Sequence, residues 1–168
     1  MDTLLIVEDE KMIRQGIKAM AMRSGVPIAR ILECSDGAQA LEILRQEAVD
    51  GMITDIRMPH VNGVELVQAM QALPRAPVTV VLSGYDNFQY AVEMMRGGVK
   101  DYIMKPVERE HLYEALRKME AEIQRERARG SWPDASFRLR RASSSSPRPR
   151  PRSVISMRQM SGSNTALM

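Results

Sequence analysis

Gly-Met-Ile-Thr-Asp, residues 51–55, is a short apolar run that ends on an acid. Two other runs are built alike. Thr-Leu-Leu-Ile-Val (3–7) ends on the acidic pair Glu8-Asp9, and Asp-Tyr-Ile-Met (101–104) ends on Lys105-Pro106. Runs of this length and composition read as strands. Laid parallel, their carboxyl ends share one edge of a sheet, where open α/β folds place their ligands. Carboxylates held together need a divalent cation. A carboxylate beside a metal and a lysine can accept a phosphoryl group. The pattern points to a switch rather than a metabolic enzyme.

The stretches on either side alternate between short apolar runs and amphipathic segments. Residues 4–7 form a first strand. Residues 11–24 repeat Met12, Ile13, Ile17 and Met20 at helical spacing and stop at Gly25-Val26-Pro27. A second strand spans 30–34, and Asp36 caps a helix through Ala40, Leu41 and Leu44. Asn62 caps another after 51–55, carrying Val64, Leu66, Val67 and Met70, and 73–77 is a turn. The run 78–82 is almost wholly apolar, as expected of a strand buried on both faces. A helix over 87–96 ends at Gly97-Gly98. The strand 101–104 precedes an amphipathic helix over 108–127 with Leu112, Leu116, Met119 and Ile123.

Five strand–helix repeats predict a doubly wound, flavodoxin-like α/β fold with a five-stranded parallel sheet in the order 2-1-3-4-5 and helices on both faces. That order puts the ends of strands 1 and 3, with Glu8, Asp9 and Asp55, at the topological switch point.

Composition narrows the class. The chain has 168 residues, 44% of them hydrophobic, enough to build one core. Its one cysteine, Cys34, allows no internal disulfide and suits a reducing cytoplasm. No apolar run approaches the ~20 residues of a membrane span, and the first residues lack a signal-peptide core. A soluble cytoplasmic protein is expected.

Charge is unevenly spread. Residues 1–124 carry 14 Lys and Arg against 19 Asp and Glu, a net of −5, whereas 125–168 carry 10 Arg against 2 acids, a net of +8. Ten serines and four prolines lie in 130–168, including Pro-Arg-Pro-Arg-Pro-Arg at 147–152, and strand and helix periodicity both stop. Such a segment buries too little apolar surface to offset its ordering entropy. The expected division is a domain over 1–125 and a basic Ser/Arg/Pro-rich disordered tail over 126–168.

Each charged or hydroxyl residue at the sheet edge has an ordinary reading beside its chemical one. Asp9 and Asp55 suit Mg2+, with the backbone carbonyl of Arg57 as a third ligand and Glu8 acting through water. Alone, an acid at a strand end is more often a helix cap. Lys105 can reach the same edge as a point charge for a phosphoryl oxygen, and a cis peptide at Pro106 can aim it. Alone, it is a surface lysine before a helix. Ser83 can donate to a phosphoryl oxygen, or simply cap a turn. Tyr102 can move between exposed and buried rotamers, or remain a half-buried aromatic with a wet hydroxyl.

Their joint order carries more than any one of them. Val-Glu-Asp-Glu (7–10), Thr-Asp-Ile-Arg-Met-Pro-His-Val-Asn-Gly (54–63), Leu-Ser-Gly-Tyr (82–85) and Asp-Tyr-Ile-Met-Lys-Pro (101–106) resemble the receiver domain of bacterial two-component response regulators over about residues 2–125. The resemblance implies a phosphoacceptor at Asp55 and metal ligands at Asp9, Asp55 and the Arg57 carbonyl, with Glu8 in the outer shell. It also implies a switch hydroxyl at Ser83, a switch aromatic at Tyr102, and Lys105 as the lysine of the site. Residues 83–91 with Gly-Val-Lys-Asp-Tyr are more narrowly similar to receivers joined to AraC-type helix-turn-helix domains.

That resemblance implies a partner histidine kinase and Mg2+ as cofactor. It implies self-phosphorylation and slow self-dephosphorylation in place of metabolic catalysis, with transcription as the output in the parent family. Dimerisation or docking would use the face formed by 87–96, 101–104 and 108–127. The tail departs from the pattern, since no helix-turn-helix follows Arg129. It is either a native basic arm or a shifted reading frame or truncation that replaced an effector domain; its composition favours the latter. As a native arm it offers a second function, sequence-indifferent nucleic-acid binding through the seven arginines of 130–168, although only Trp132 and Phe137 are there to stack on bases. A metal-dependent phosphatase would add a general acid near Asp55, a part Arg57 cannot play.

Overall fold

The computed structural model describes residues 1–84 and 98–130. In chain order they form β1 (Thr3–Val7), α1 (Lys11–Arg23), β2 (Arg30–Cys34), α2 (Gly37–Gln46), β3 (Gly51–Asp55), α3 (Gly63–Met70), β4 (Val78–Ser83), β5 (Asp101–Met104) and α4 (Arg109–Ala128). The expected helix over 87–96 and the tail from 131 onward lie outside the described residues.

The five strands form one sheet in the order β2-β1-β3-β4-β5, and every neighbouring pair is parallel. Burial follows position in the sheet. The central strands β1, β3 and β4 are buried throughout, whereas the edge strands β2 and β5 are only partly so. This explains the unbroken apolar character of the central runs. Both of their faces are covered, so alternation would leave polar groups inside.

Side chains alternate between two cores. Leu4 and Ile6 of β1, Ile53, Val80, Leu82 and Ile103 meet α1 and α4 through Ile17, Ala21, Leu112, Leu116, Met119 and Ile123. Leu5, Val7, Met52 and Val81 meet α2 and α3 through Ala40, Leu44, Leu66, Val67 and Met70. Each fully buried Leu or Ile contributes roughly 1.5–3 kcal/mol, so the two layers hold the sheet from both sides.

The helix starts follow the expected chemistry. The Asp36 carboxylate accepts from the Gln39 amide at 2.9 Å. Asn62 and Glu65 exchange side-chain-to-backbone bonds in a capping box. Such caps contribute about 0.5–2 kcal/mol each. Two boundaries extend past the expected ones: β4 takes in Ser83, and α4 runs through Ala128.

Candidate functional site

β1, β3 and β5 deliver their carboxyl ends to one edge of the sheet. Past Val7, the Glu8 amide still donates to the Cys34 carbonyl at 3.2 Å, so the strand pairing carries into the acidic turn. Glu8 is fully buried, Asp55 is 5% exposed and Asp9 faces solvent. Carboxylate oxygens of Glu8, Asp9 and Asp55 all lie within 4.8 Å of one another.

Lys105 joins this group from β5. Its Nζ lies 2.9 Å from Glu8 Oε2 and 3.0 Å from Asp55 Oδ2. The Lys105 amide donates to the Ser83 carbonyl at 2.8 Å, which ties the loop to the end of β4. The Lys105–Pro106 peptide is cis. Ser83 is buried, and its hydroxyl donates to the Gly84 carbonyl at 3.0 Å. In the ladder Asp55 pairs with Leu82, so Ser83 lies one residue beyond the level of Asp55.

Asp55 is further fixed by its own loop. Its Oδ1 accepts from the Ile56 amide at 2.8 Å, and the Ile56 amide also reaches the Leu82 carbonyl at 3.2 Å. Gly63 closes the loop by donating to the Ile56 carbonyl at 2.9 Å. A Cβ at 63 would stand 2.3 Å from the Asp55 carbonyl oxygen, so only glycine lets α3 begin this close to the acid. Arg57 lies within this turn, two residues past Asp55, with its side chain exposed.

Electrostatics sharpens the picture. Burial pushes the Glu8 carboxyl above its usual range, against the hydrogen bond from Lys105, and the Asp55 charge pushes it the same way. Burial works to lower the Lys105 ammonium, but its hydrogen bonds to Glu8 and Asp55 outweigh that and hold it above its ordinary value. Lys105 thus pairs with two of the three clustered carboxylates, Glu8 and Asp55. The uncompensated negative charge, on hard oxygen donors, is the donor set a small divalent cation takes.

The comparisons with known proteins bear on this edge. The family described as response regulator receiver domain matches residues 4–117. The chain belongs to this family. It is 37% identical over 116 residues to an uncharacterized response regulatory protein of Staphylococcus epidermidis, covering 67% of this chain and 45% of that one. It is 30% identical over 123 residues to the transcriptional regulatory protein YesN of Bacillus subtilis, covering 73% of this chain and 33% of that one. A two component transcriptional regulator AraC from Clostridium phytofermentans superposes with a TM-score of 0.67 at 26% identity, over 77% of this chain and 99% of that one. The chain spans less than half the length of these two curated relatives. It is a two-component response regulator receiver whose relatives include transcriptional regulators.

Of the residues read from the receiver motifs, Glu8, Asp9, Asp55 and Lys105 meet in one cluster, with Ser83 on the same edge. Tyr102 lies on the edge strand β5, opposite Val81 in the ladder, and is 38% exposed. Among the described residues no helix is long and apolar enough to cross a membrane.

Sequence reading passed over two neighbours of the site. Arg14 donates from Nη1 to the Glu8 carbonyl at 2.5 Å and to the Asp9 carbonyl at 3.4 Å. His60 takes a left-handed φ of 64° in the loop after Asp55, its Nδ1 4.0 Å from Asp36 Oδ2. Arg14 had one usable signal: it falls one helical turn after Glu10, on the side of α1 that faces the acidic turn.

Proposed function

We propose that this receiver takes a phosphoryl group on Asp55 from a sensor histidine kinase in a Mg2+-dependent reaction. The observation that carries the reading is Lys105 Nζ, within 3.0 Å of Glu8 and Asp55 in a cluster of three carboxylates. An Asp55 carboxylate oxygen attacks the phosphorus of a phosphohistidine. The P–O bond forms as the P–N bond breaks, and the imidazole leaves with the electron pair. Asp9, Asp55 and the Arg57 carbonyl would hold Mg2+, with Glu8 acting through water. The bound ion supplies charge neutralisation for the transferring group.

The Lys105 ammonium and the Ser83 hydroxyl then bind the phosphoryl oxygens. Their new charge-assisted contacts bias a two-state equilibrium in which Ser83 and Tyr102 move together. Output passes through the face carrying β5 and α4, by dimerisation or by docking a partner. In the longer regulators that this receiver resembles, that output is transcription. The phosphoryl group is lost again by slow self-hydrolysis, so the chain is a cytoplasmic signalling switch and not a metabolic enzyme. Residues 1–125 and the rest of α4, through Ala128, would form the switch, with a basic segment as its appendage.

The test is mass spectrometry after incubation with acetyl phosphate and Mg2+. One phosphoryl adduct is expected in the wild type and none in Asp55→Asn. No adduct in the wild type, or an equal one in Asp55→Asn, would sink the reading.

A further inference from the structure

We propose that Arg14 is the positioning residue for Asp9: its guanidinium grips the two carbonyls of the acidic turn and so sets the aim of the cation-binding carboxylate. This rests on the cation reading of the pocket given above. The three carboxylates are not held alike. Glu8 is fixed by Lys105 and by the Glu10 amide, which donates to its Oε1 at 3.2 Å. Asp55 is fixed by Lys105 and the Ile56 amide. Asp9 is exposed, and among the described residues no donor reaches its carboxylate. The contacts that restrain it act on the backbone of the turn, which sets the direction of its Cα–Cβ bond.

That backbone is held from the other side. Arg14 Nη1 donates to the carbonyls of Glu8 and Asp9, the two peptide groups on either side of the Asp9 Cα. The guanidinium is itself anchored. Its Nε lies 3.7 Å from Glu33 Oε2 on β2, and Glu33 is also bonded by Gln15 and Lys18. The Arg14 side chain is only 16% exposed. A fork fixed at one end to an edge strand and at the other to two carbonyls restrains the turn in a way a flexible ammonium cannot.

The sign of the effect separates this role from a bystander charge. As a nearby cation, Arg14 opposes the binding of another cation, and its removal on that account alone would tighten Mg2+. As a brace it does the reverse. Loss of a group that orients a ligand costs roughly ten- to a hundredfold in metal affinity.

The experiment is calorimetric titration of the full-length, cation-free protein with MgCl2, with circular dichroism to confirm folding. Arg14→Ala is expected to bind at least tenfold more weakly than wild type, and Arg14→Lys to fall between the two. Equal or tighter binding by folded Arg14→Ala overturns the inference. If Arg14→Ala does not fold, Arg14→Lys decides: weaker binding than wild type supports the brace, and equal binding overturns it. A wild type that takes up no Mg2+ overturns the cation reading and this inference together, whereas the outcome with Arg14→Ala bears on the inference alone.

Discussion

Glu8 shows how a buried charge can be retained at a cost. Its carboxyl is fully buried, and burial raises its pKa in the folded state despite Lys105. A raised folded-state carboxyl pKa means that the native protein binds the proton more tightly than the unfolded chain. Ionised Glu8 therefore costs stability above its folded pKa, and the cost fades as pH falls through that value toward 4.5. Without divalent cations, Glu8→Gln should be more stable than wild type at pH 7, since Asp55 still pairs with Lys105. The gain should shrink as pH falls toward 4.5. Urea unfolding in EDTA at the two ends of that range checks both statements; a gain that grows on acidification contradicts them. Gly63 gives the opposite case, a residue chosen for space. Alanine there puts a Cβ 2.3 Å from the Asp55 carbonyl oxygen, which is backbone and cannot swing aside. Gly63→Ala should cost about 1–3 kcal/mol in urea unfolding and slow phosphorylation, because the displaced backbone carries Asp55.

Elements meet at a second buried acid, at the other end of β3. Asp50 is fully buried and accepts from the Asp2 and Thr3 amides at 2.6 and 3.1 Å. Arg75, from the turn after α3, reaches it at 2.9 Å, and Arg127, from the last turn of α4, at 3.0 Å. One carboxylate thus joins the amino terminus, β3, the α3–β4 turn and the end of α4. Asp50→Ala leaves two arginines without this anion and should cost about 3–5 kcal/mol. Arg127→Ala leaves Asp50 the Asp2 and Thr3 amides and Arg75, and should cost about 1.5–3 kcal/mol. The double variant should lose less than the sum, because both act in one network. None of this was legible in the chain. Strands, caps and the order of the sheet were, because runs such as 78–82, Asp36 before its helix and Asn62-Gly63 act through local pattern and turn chemistry. So was the gathering of Glu8, Asp9, Asp55 and Lys105, since a parallel sheet brings strand ends together whatever the side-chain detail. The Asp50–Arg127 pair spans 77 positions, and Arg14 works through backbone carbonyls, which leave no mark in residue type.

At the scale of the molecule, the acidic front and the basic end divide somewhere in α4, and the place matters for any attempt to isolate the switch. The change in composition suggests a boundary at 125, but α4 runs through Ala128 and holds Arg127 against Asp50 and Asp2. The helix also carries Glu120, which pairs with the amino-terminal ammonium. A cut after 125 removes Arg127 and with it one of the donors to Asp50. A cut after 130 keeps the helix, the Arg129 cap and the whole network. Residues 1–130 should therefore unfold at higher urea than 1–125, by about 1.5–3 kcal/mol, the worth of a hydrogen bond to a charged group. Restoring 126–130 with alanine at 127 should recover little of that difference. If 1–125 and 1–130 unfold together, the end of α4 is frayed in solution and the Asp50 network closes without Arg127. If they separate as expected, the last turn of α4 is part of the folded switch. Whatever follows residue 130 is then attached to a helix end that is pinned, through Asp50, to the strand that carries Asp55.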